Sequence, residues 1–200
     1  MEKTEWQMDL LKEAGTIGMG SACRAMSTLL GDQKVLVEVP NARLVNISEA
    51  SWLWGDPEAL VTAAYVPFVG VLSGCAVFGL PADTAELLME LVSRRAGVIA
   101  NGSAFLEIAN IVVTSYLNAL AAITDCVLRP SVPLVAKGMA GAIIQSALAL
   151  SQCIDDTLAV IDTAFSADQM GAAVTGRLIL VPEGDSLEKF LAAVESAYAG

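Results

Sequence analysis

An acid and a carboxamide stand three residues apart in the second half of the chain, at Glu107 and Asn110. On an α-helix both side chains project from one face, in a sector of about 80° that also takes Ser103, Thr114 and Asn118. A carboxylate can pair with a cation on another molecule, and a carboxamide can both donate and accept hydrogen bonds. The pair could therefore bind a partner protein and position a water molecule.

The other sides of this helix are apolar, which predicts burial on three sides and exposure on one. The apolar positions are Phe105, Leu106, Ile108, Ile111, Val112, Val113, Tyr116, Leu117 and Leu120. A single polar stripe of this kind is also typical of an ordinary solvated helix face. One stripe alone therefore does not identify a site.

A second stripe lies near the amino terminus, where Asp9, Glu13, Thr16, Gly20 and Arg24 occupy the corresponding helical sector. Identical residues 94 positions apart recur every fourth residue, and these pairs are Glu13 with Glu107, Ile17 with Ile111, Ser21 with Ser115 and Ala25 with Ala119. Self-similarity at a fixed offset indicates an internal repeat. We therefore predict one domain over residues 1–200, made of two pseudo-symmetric halves at about 1–97 and 98–200.

The spacing of Ser103, Glu107, Asn110 and Pro133 resembles the signature of the CheC/CheX/FliY phosphatases of bacterial and archaeal chemotaxis, and of CheC most closely. Three, two and twenty-two residues separate these four positions in turn, as in the signature. The first copy departs from it. Asp9 and Glu13 fit, but Thr16 stands where the family has Asn, and Pro40 falls one residue late.

The resemblance implies an enzyme that hydrolyses the aspartyl phosphate of a CheY-like response regulator. Asn110 would hold the attacking water in line, and Glu107 would pair with the regulator's lysine. Ser103 and Pro133 would have supporting structural roles. The first site would be weak or inactive, although Asp9 and Glu13 could still dock a partner. The Mg²⁺ would sit in the regulator, so this chain is expected to bind no cofactor and no metal.

The resemblance leaves two other functions open. The protein could be a non-catalytic adaptor that binds a response regulator or the receptor deamidase CheD. It could also be a structural module of the flagellar switch, as in FliY. FliY normally carries a further carboxy-terminal domain, and this sequence ends at Gly200, which disfavours that interpretation.

Composition excludes several function classes. A net charge of −11, with eleven scattered Lys and Arg residues, argues against binding nucleic acid. The chain has no histidine, which removes Ser-His-Asp and Cys-His nucleophiles and His-containing zinc sites. The four cysteines, Cys23, Cys75, Cys126 and Cys153, have no Cys-x-x-Cys spacing. We therefore interpret them as small buried hydrophobic residues in preference to disulfide or metal ligands. Such thiols and the absence of a secretory signal predict a cytoplasmic protein.

The uncharged span Ala59–Ala82 is long enough to cross a bilayer. The residues Pro67, Gly70, Gly74 and Gly79 interrupt it, which favours two strands, and we expect no membrane insertion.

The remaining pattern predicts six helices and five strands. The predicted helices are Thr4–Leu30, Ser48–Trp54, a segment with Asp83 as N-cap, Ser103–Thr124, Gly138–Leu150 and Asp185–Ala199. The predicted strands are Lys34–Val39, Leu60–Phe68, Leu72–Leu80, Thr157–Phe165 and Thr175–Val181. This order predicts an α+β fold with a largely antiparallel sheet and the two long motif-bearing helices packed on one face.

Overall fold

A computed structural model describes residues 5–32, 34–38, 40–96, 102–150, 157–169 and 172–199. In chain order the elements are α1 (Glu5–Leu29), β1 (Val35–Val37), β2 (Asn41–Asn46), a 3₁₀ helix (Ile47–Trp52), β3 (Leu60–Gly70), β4 (Gly74–Pro81), α2 (Ala82–Ala96), α3 (Gly102–Thr124), β5 (Leu128–Pro130), β6 (Leu134–Met139), α4 (Ala140–Leu150), β7 (Thr157–Gln169), β8 (Ala172–Pro182) and α5 (Gly184–Ala199). The series from α1 to α2 matches the series from α3 to α5, with α4 in the place of the 3₁₀ helix.

The eight strands form one sheet in which every pairing is antiparallel. The order is β1, β7, β8, β4, β3, β5, with β2 also beside β7 and β6 also beside β3. The short early strands of each series therefore pair with a long strand of the other series. This arrangement confirms the predicted α+β fold with a largely antiparallel sheet. The division into two halves at about residue 97 stays a prediction.

Helices cover both faces of the sheet. The side chains of each strand alternate between the two faces and therefore enter two separate cores. On one face lie α1, α2, α3 and α5, and Phe78 of β4 packs there between Phe105 and Phe165 with ring centroids 5.8 and 5.6 Å away. On the other face lie α4 and the 3₁₀ helix, packed on Tyr65 and Val77. Burial on both faces explains why the central strands are apolar without interruption.

Three strands, β2, β5 and β6, are not predicted by the sequence pattern, and β5 has only three residues. Both β2 and β6 are short and mixed in polarity, and each follows a proline, Pro40 or Pro133. Gly138 and Met139 pair with β3, so the predicted helix Gly138–Leu150 begins only at Ala140. Asp83 is not an N-cap, because α2 begins at Ala82 and the Asp83 carboxylate instead accepts a hydrogen bond from the backbone N–H of Thr84.

The uncharged span Ala59–Ala82 contains the β3–β4 hairpin, as predicted. Within the described ranges one helix is long and apolar enough to cross a membrane, and it is the stretch Ala104–Thr124 of α3. Its apolar residues Phe105, Ile108, Val112 and Tyr116 are buried in the core. The length and hydropathy of α3 are therefore accounted for by its packing.

Helix α1 packs closely against α3 through a glycine. Gly18 is buried beside the ring of Tyr116, and a Cβ atom at Gly18 would lie 2.7 Å from Tyr116 Cε2. Gly20, in the same helix, has open space, because only Arg24 Nη1 would come within 4 Å of a Cβ atom, at 3.9 Å. The absence of a side chain at Gly18 therefore lets the two helices approach.

We expect Gly18→Ala to lower the free energy of unfolding by about 1–3 kcal/mol, because the added methyl group overpacks a fully buried ring. Gly20→Ala is the matched control, and it should raise stability by about 0.5–1 kcal/mol through helix propensity alone. Denaturant unfolding of both variants measures the difference. Equal shifts of the same sign in the two variants would contradict the close helix contact.

Candidate functional site

The second polar stripe lies on the outer side of α3. Glu107 is exposed and Asn110 is partly exposed, one helical turn apart. Ile108 and Ala109 between them are buried in the core, which fixes the rotation of the helix about its axis. The acid and the carboxamide are thus held at the surface by the burial of their neighbours.

Thr114 contacts the Asn110 carboxamide from the next turn of α3. Its hydroxyl donates to Asn110 Oδ1 at 3.4 Å, which is a long and weak hydrogen bond. Among the described residues the Asn110 side chain forms no other hydrogen bond. The carboxamide is therefore oriented on one side and keeps hydrogen-bonding capacity for a water or a partner. The stripe pattern includes Thr114 but assigns it no role, and its i, i+4 spacing from Asn110 is the signal that could have indicated this contact.

The first stripe lies on the neighbouring helix α1, where Asp9, Glu13 and Thr16 are all exposed. Asp9 forms an ion pair with Lys12 at 3.2 Å. The Thr16 hydroxyl donates to the backbone carbonyl of Lys12 at 2.9 Å. Because the hydroxyl proton of Thr16 is already donated to the helix backbone, Thr16 can only accept a hydrogen bond from an incoming water. The two stripes therefore differ in chemistry as well as in sequence.

The two supporting residues lie at element boundaries. Ser103 is in the first turn of α3, and its side chain lies outside the described part of the structure. Pro133 is half-buried and immediately precedes β6, which pairs with β3 from Leu134 onward. Proline restricts the backbone at that entry point. No distance in the structure ties either residue to Glu107 or Asn110, so their supporting role stays a prediction.

Known relatives share both sequence and fold with this chain. The family model described as CheC-like matches residues 7–42, which include Asp9, Glu13 and Thr16. The "CheY-P phosphatase CheC" of Bacillus subtilis is 33% identical over 198 residues, covering 95% of this chain and 94% of that protein. The chain belongs to the CheC-like family. The resemblance inferred from the sequence motif is therefore confirmed.

Solved structures agree with this membership at the level of the fold. The crystal structure of FliY from Thermotoga maritima matches this CheC-like chain with a TM-score of 0.76 and 17% identity, covering 98% of this chain and 100% of the chain in that structure. CheX in the CheX–CheY–BeF3–Mg²⁺ complex of Borrelia burgdorferi matches with a TM-score of 0.53 and 12% identity, covering 84% of this chain and 97% of that one. At these identities the likeness shows the fold alone.

We expect Thr114→Val to loosen the Asn110 carboxamide, because the shape is kept while the hydroxyl donor is lost. The side-chain ¹⁵N relaxation of Asn110 should then report larger fast motion. Thr28→Val is the control, since the Thr28 hydroxyl bonds to the backbone carbonyl of Arg24 on α1. An Asn110 signal that is unchanged in Thr114→Val would show that Thr114 does not orient the carboxamide.

Proposed function

We propose that this protein is a phosphatase that hydrolyses the aspartyl phosphate of a CheY-like response regulator in chemotaxis. The observation that carries the proposal is the exposed pair Glu107 and Asn110 on a helix that is otherwise buried. The relative that is 33% identical over nearly the whole chain is itself named a CheY-P phosphatase. Site and relative therefore support the same activity.

The chemistry required of such a site is modest. An aspartyl phosphate is an activated acyl phosphate, so its hydrolysis needs mainly a positioned water and neutralised charge. The Asn110 oxygen would accept a hydrogen bond from the attacking water and hold it in line with the phosphorus. Thr114 would help to orient the carboxamide for this task. No covalent intermediate on this chain is required.

Glu107 would bind the partner and not the water. An exposed carboxylate beside the carboxamide can pair with a lysine of the docked regulator, which fixes the register of the two proteins. The Mg²⁺ that neutralises phosphate charge would be held by the regulator. Within the described ranges this chain brings together no group of three or more Cys, Asp or Glu side chains that could bind a metal.

The first stripe would dock partners with little or no turnover, because the Thr16 hydroxyl reaches less far than a carboxamide and is directed at the Lys12 carbonyl of its own helix. Asp9 and Glu13 keep the charge that docking requires. This stripe is also what supports the second function, a non-catalytic adaptor that binds a regulator or CheD. We place the protein in the cytoplasm, where a chemotaxis regulator is phosphorylated.

Replacing the positioning group should remove most of the activity. We expect Asn110→Ala to slow stimulated dephosphorylation of the cognate regulator by about 100-fold, since the carboxamide no longer positions the attacking water. Asn118→Ala is a matched control, because it removes an exposed carboxamide from the same stripe two turns away. Phosphate release from purified phosphorylated regulator measures both rates. Near-normal turnover by Asn110→Ala would overturn the assignment, and wild-type binding without any faster release would establish the adaptor instead.

The two stripes can be ranked by a double substitution in the first one. Glu13→Ala combined with Thr16→Ala should leave at least half of the turnover at saturating regulator, since the Glu107–Asn110 pair is untouched. The same release assay, run over a range of regulator concentrations, separates lost docking from lost turnover. Silencing of the enzyme by this double variant would mean that the first stripe is the active one.

A further inference from the structure

The Asn110 side chain is turned toward one edge of the sheet. On α3, Tyr116 faces α1, because its ring lies beside Gly18. Asn110 stands six residues earlier in the sequence, which is about 120° around an α-helix, so its carboxamide is turned away from α1. Helix α1 lies over β1, β2 and β7, whereas α3 lies over β3, β5 and β6 at the opposite edge. The flank of α3 that carries Asn110 therefore faces the edge formed by β5 and β6.

A β-bulge in this edge exposes a valine next to the motif proline, Pro133. Between β5 and β6 the edge has three residues, 131–133, where β3 opposite has only two, 66–67. The backbone N–H of Ser131 donates to the carbonyl of Pro67 at 2.7 Å, and pairing with β3 resumes at Leu134. Val132 lies between these two anchored points, and its side chain is 81% exposed. Bulges redirect side chains in this way and are common next to active sites.

Strand β6 continues this exposed surface with further apolar side chains. Val135 pairs with Ala64, which is buried in the core beneath the long helices, so Val135 is on the same side of the sheet as α3. Because side chains alternate along a strand, Met139 shares that side, and so does its pairing partner Leu60. All three are exposed, and among the described strands only β3 pairs with β6. We call Val132, Val135, Met139 and Leu60 the apolar edge.

The charge within the apolar edge is already neutralised. Lys137 lies between Val135 and Met139 in β6, and its ammonium group forms a 2.8 Å ion pair with Glu86 on α2. Both partners are exposed, so the pair contributes little to stability, but it leaves no net charge at this point. A protein that covers the edge therefore needs no opposite charge there, and apolar contacts suffice.

The matching edge beside the first stripe is more polar. Strand β2 takes the place of β6 at the other end of the sheet, and it begins and ends with exposed asparagines, Asn41 and Asn46. At these positions β6 carries Leu134 and Met139, which are both exposed. Leu44 is an exposed apolar residue of β2. Exposed apolar side chains are therefore concentrated beside the second stripe, which carries the intact motif.

An interface with a regulator requires more surface than the second stripe supplies. A stable complex buries about 800 Å² on each partner, with an apolar centre and a polar rim. Glu107 and Asn110 alone are too small and too polar for this, and the apolar edge extends their surface on the flank that Asn110 faces. We propose that the phosphorylated regulator docks on α3 and the apolar edge together, so that the edge sets the affinity while Glu107 and Asn110 act at the phosphoryl group. This inference rests on the proposed phosphatase function.

Calorimetric titration with the cognate regulator, activated by beryllofluoride and Mg²⁺ as a stable mimic of its aspartyl phosphate, measures docking without turnover. Val132→Ser and Met139→Ser should each weaken binding about 10-fold, because each removes apolar contact area from the interface. In the phosphate-release assay KM should rise by a similar factor while kcat stays unchanged. Leu44→Ser is the matched control, since it removes an exposed apolar side chain from β2 and should change neither value. All three positions are exposed, so the variants should fold, which circular dichroism checks.

Three results would overturn this docking surface and leave the phosphatase function intact. Binding that neither Val132→Ser nor Met139→Ser weakens would exclude the apolar edge. Weaker binding in Leu44→Ser alone would place the regulator beside the first stripe. A dimer of the wild-type chain in light scattering that Val132→Ser dissociates would show that a second copy covers the edge. By contrast, a wild-type chain that neither binds the activated regulator nor accelerates phosphate release would overturn the proposed function itself.

Discussion

The close packing of α1 on α3 is the contact on which the rest of the protein depends. Gly18 lets the Tyr116 ring lie against the α1 backbone, and both helices bury their apolar sides between each other and the sheet. Once those sides are buried, only the polar sector of each helix can face solvent. The surface that we propose to meet a regulator is therefore a consequence of core packing and needs no separate loop or lid.

This construction suits a reaction that asks for positioning more than for reactive groups. Asn110 is fixed in place by buried neighbours and oriented by Thr114 one turn later. On α1 the same sector carries Thr16, whose hydroxyl is bound to its own helix backbone. Two helices with similar burial thus present different hydrogen-bonding groups. The contrast is the physical reason for our proposal that one stripe is active and the other only docks a partner.

The strand β7 links the two faces of the molecule. Ile161 and Phe165 point into the core shared with the motif helices, whereas Asp162 between them in sequence joins Arg43 and Arg177 on the other face. Alternation along a strand separates these environments by one residue. The cluster of Asp162, Arg43 and Arg177 can therefore exist without disturbing the helix layer.

The sequence by itself determined the long helices, the two polar stripes, the apolar central strands and the family signature, because each is a local pattern of period 3.6 or 2 or a fixed spacing. Only the tertiary structure decided that β2 pairs with β7 and β6 with β3, since short strands of mixed polarity gain their stability from distant partners. It also decided that Arg43 on β2 meets Asp162 on β7. Contacts between residues far apart in the chain depend on packing, which no local pattern encodes.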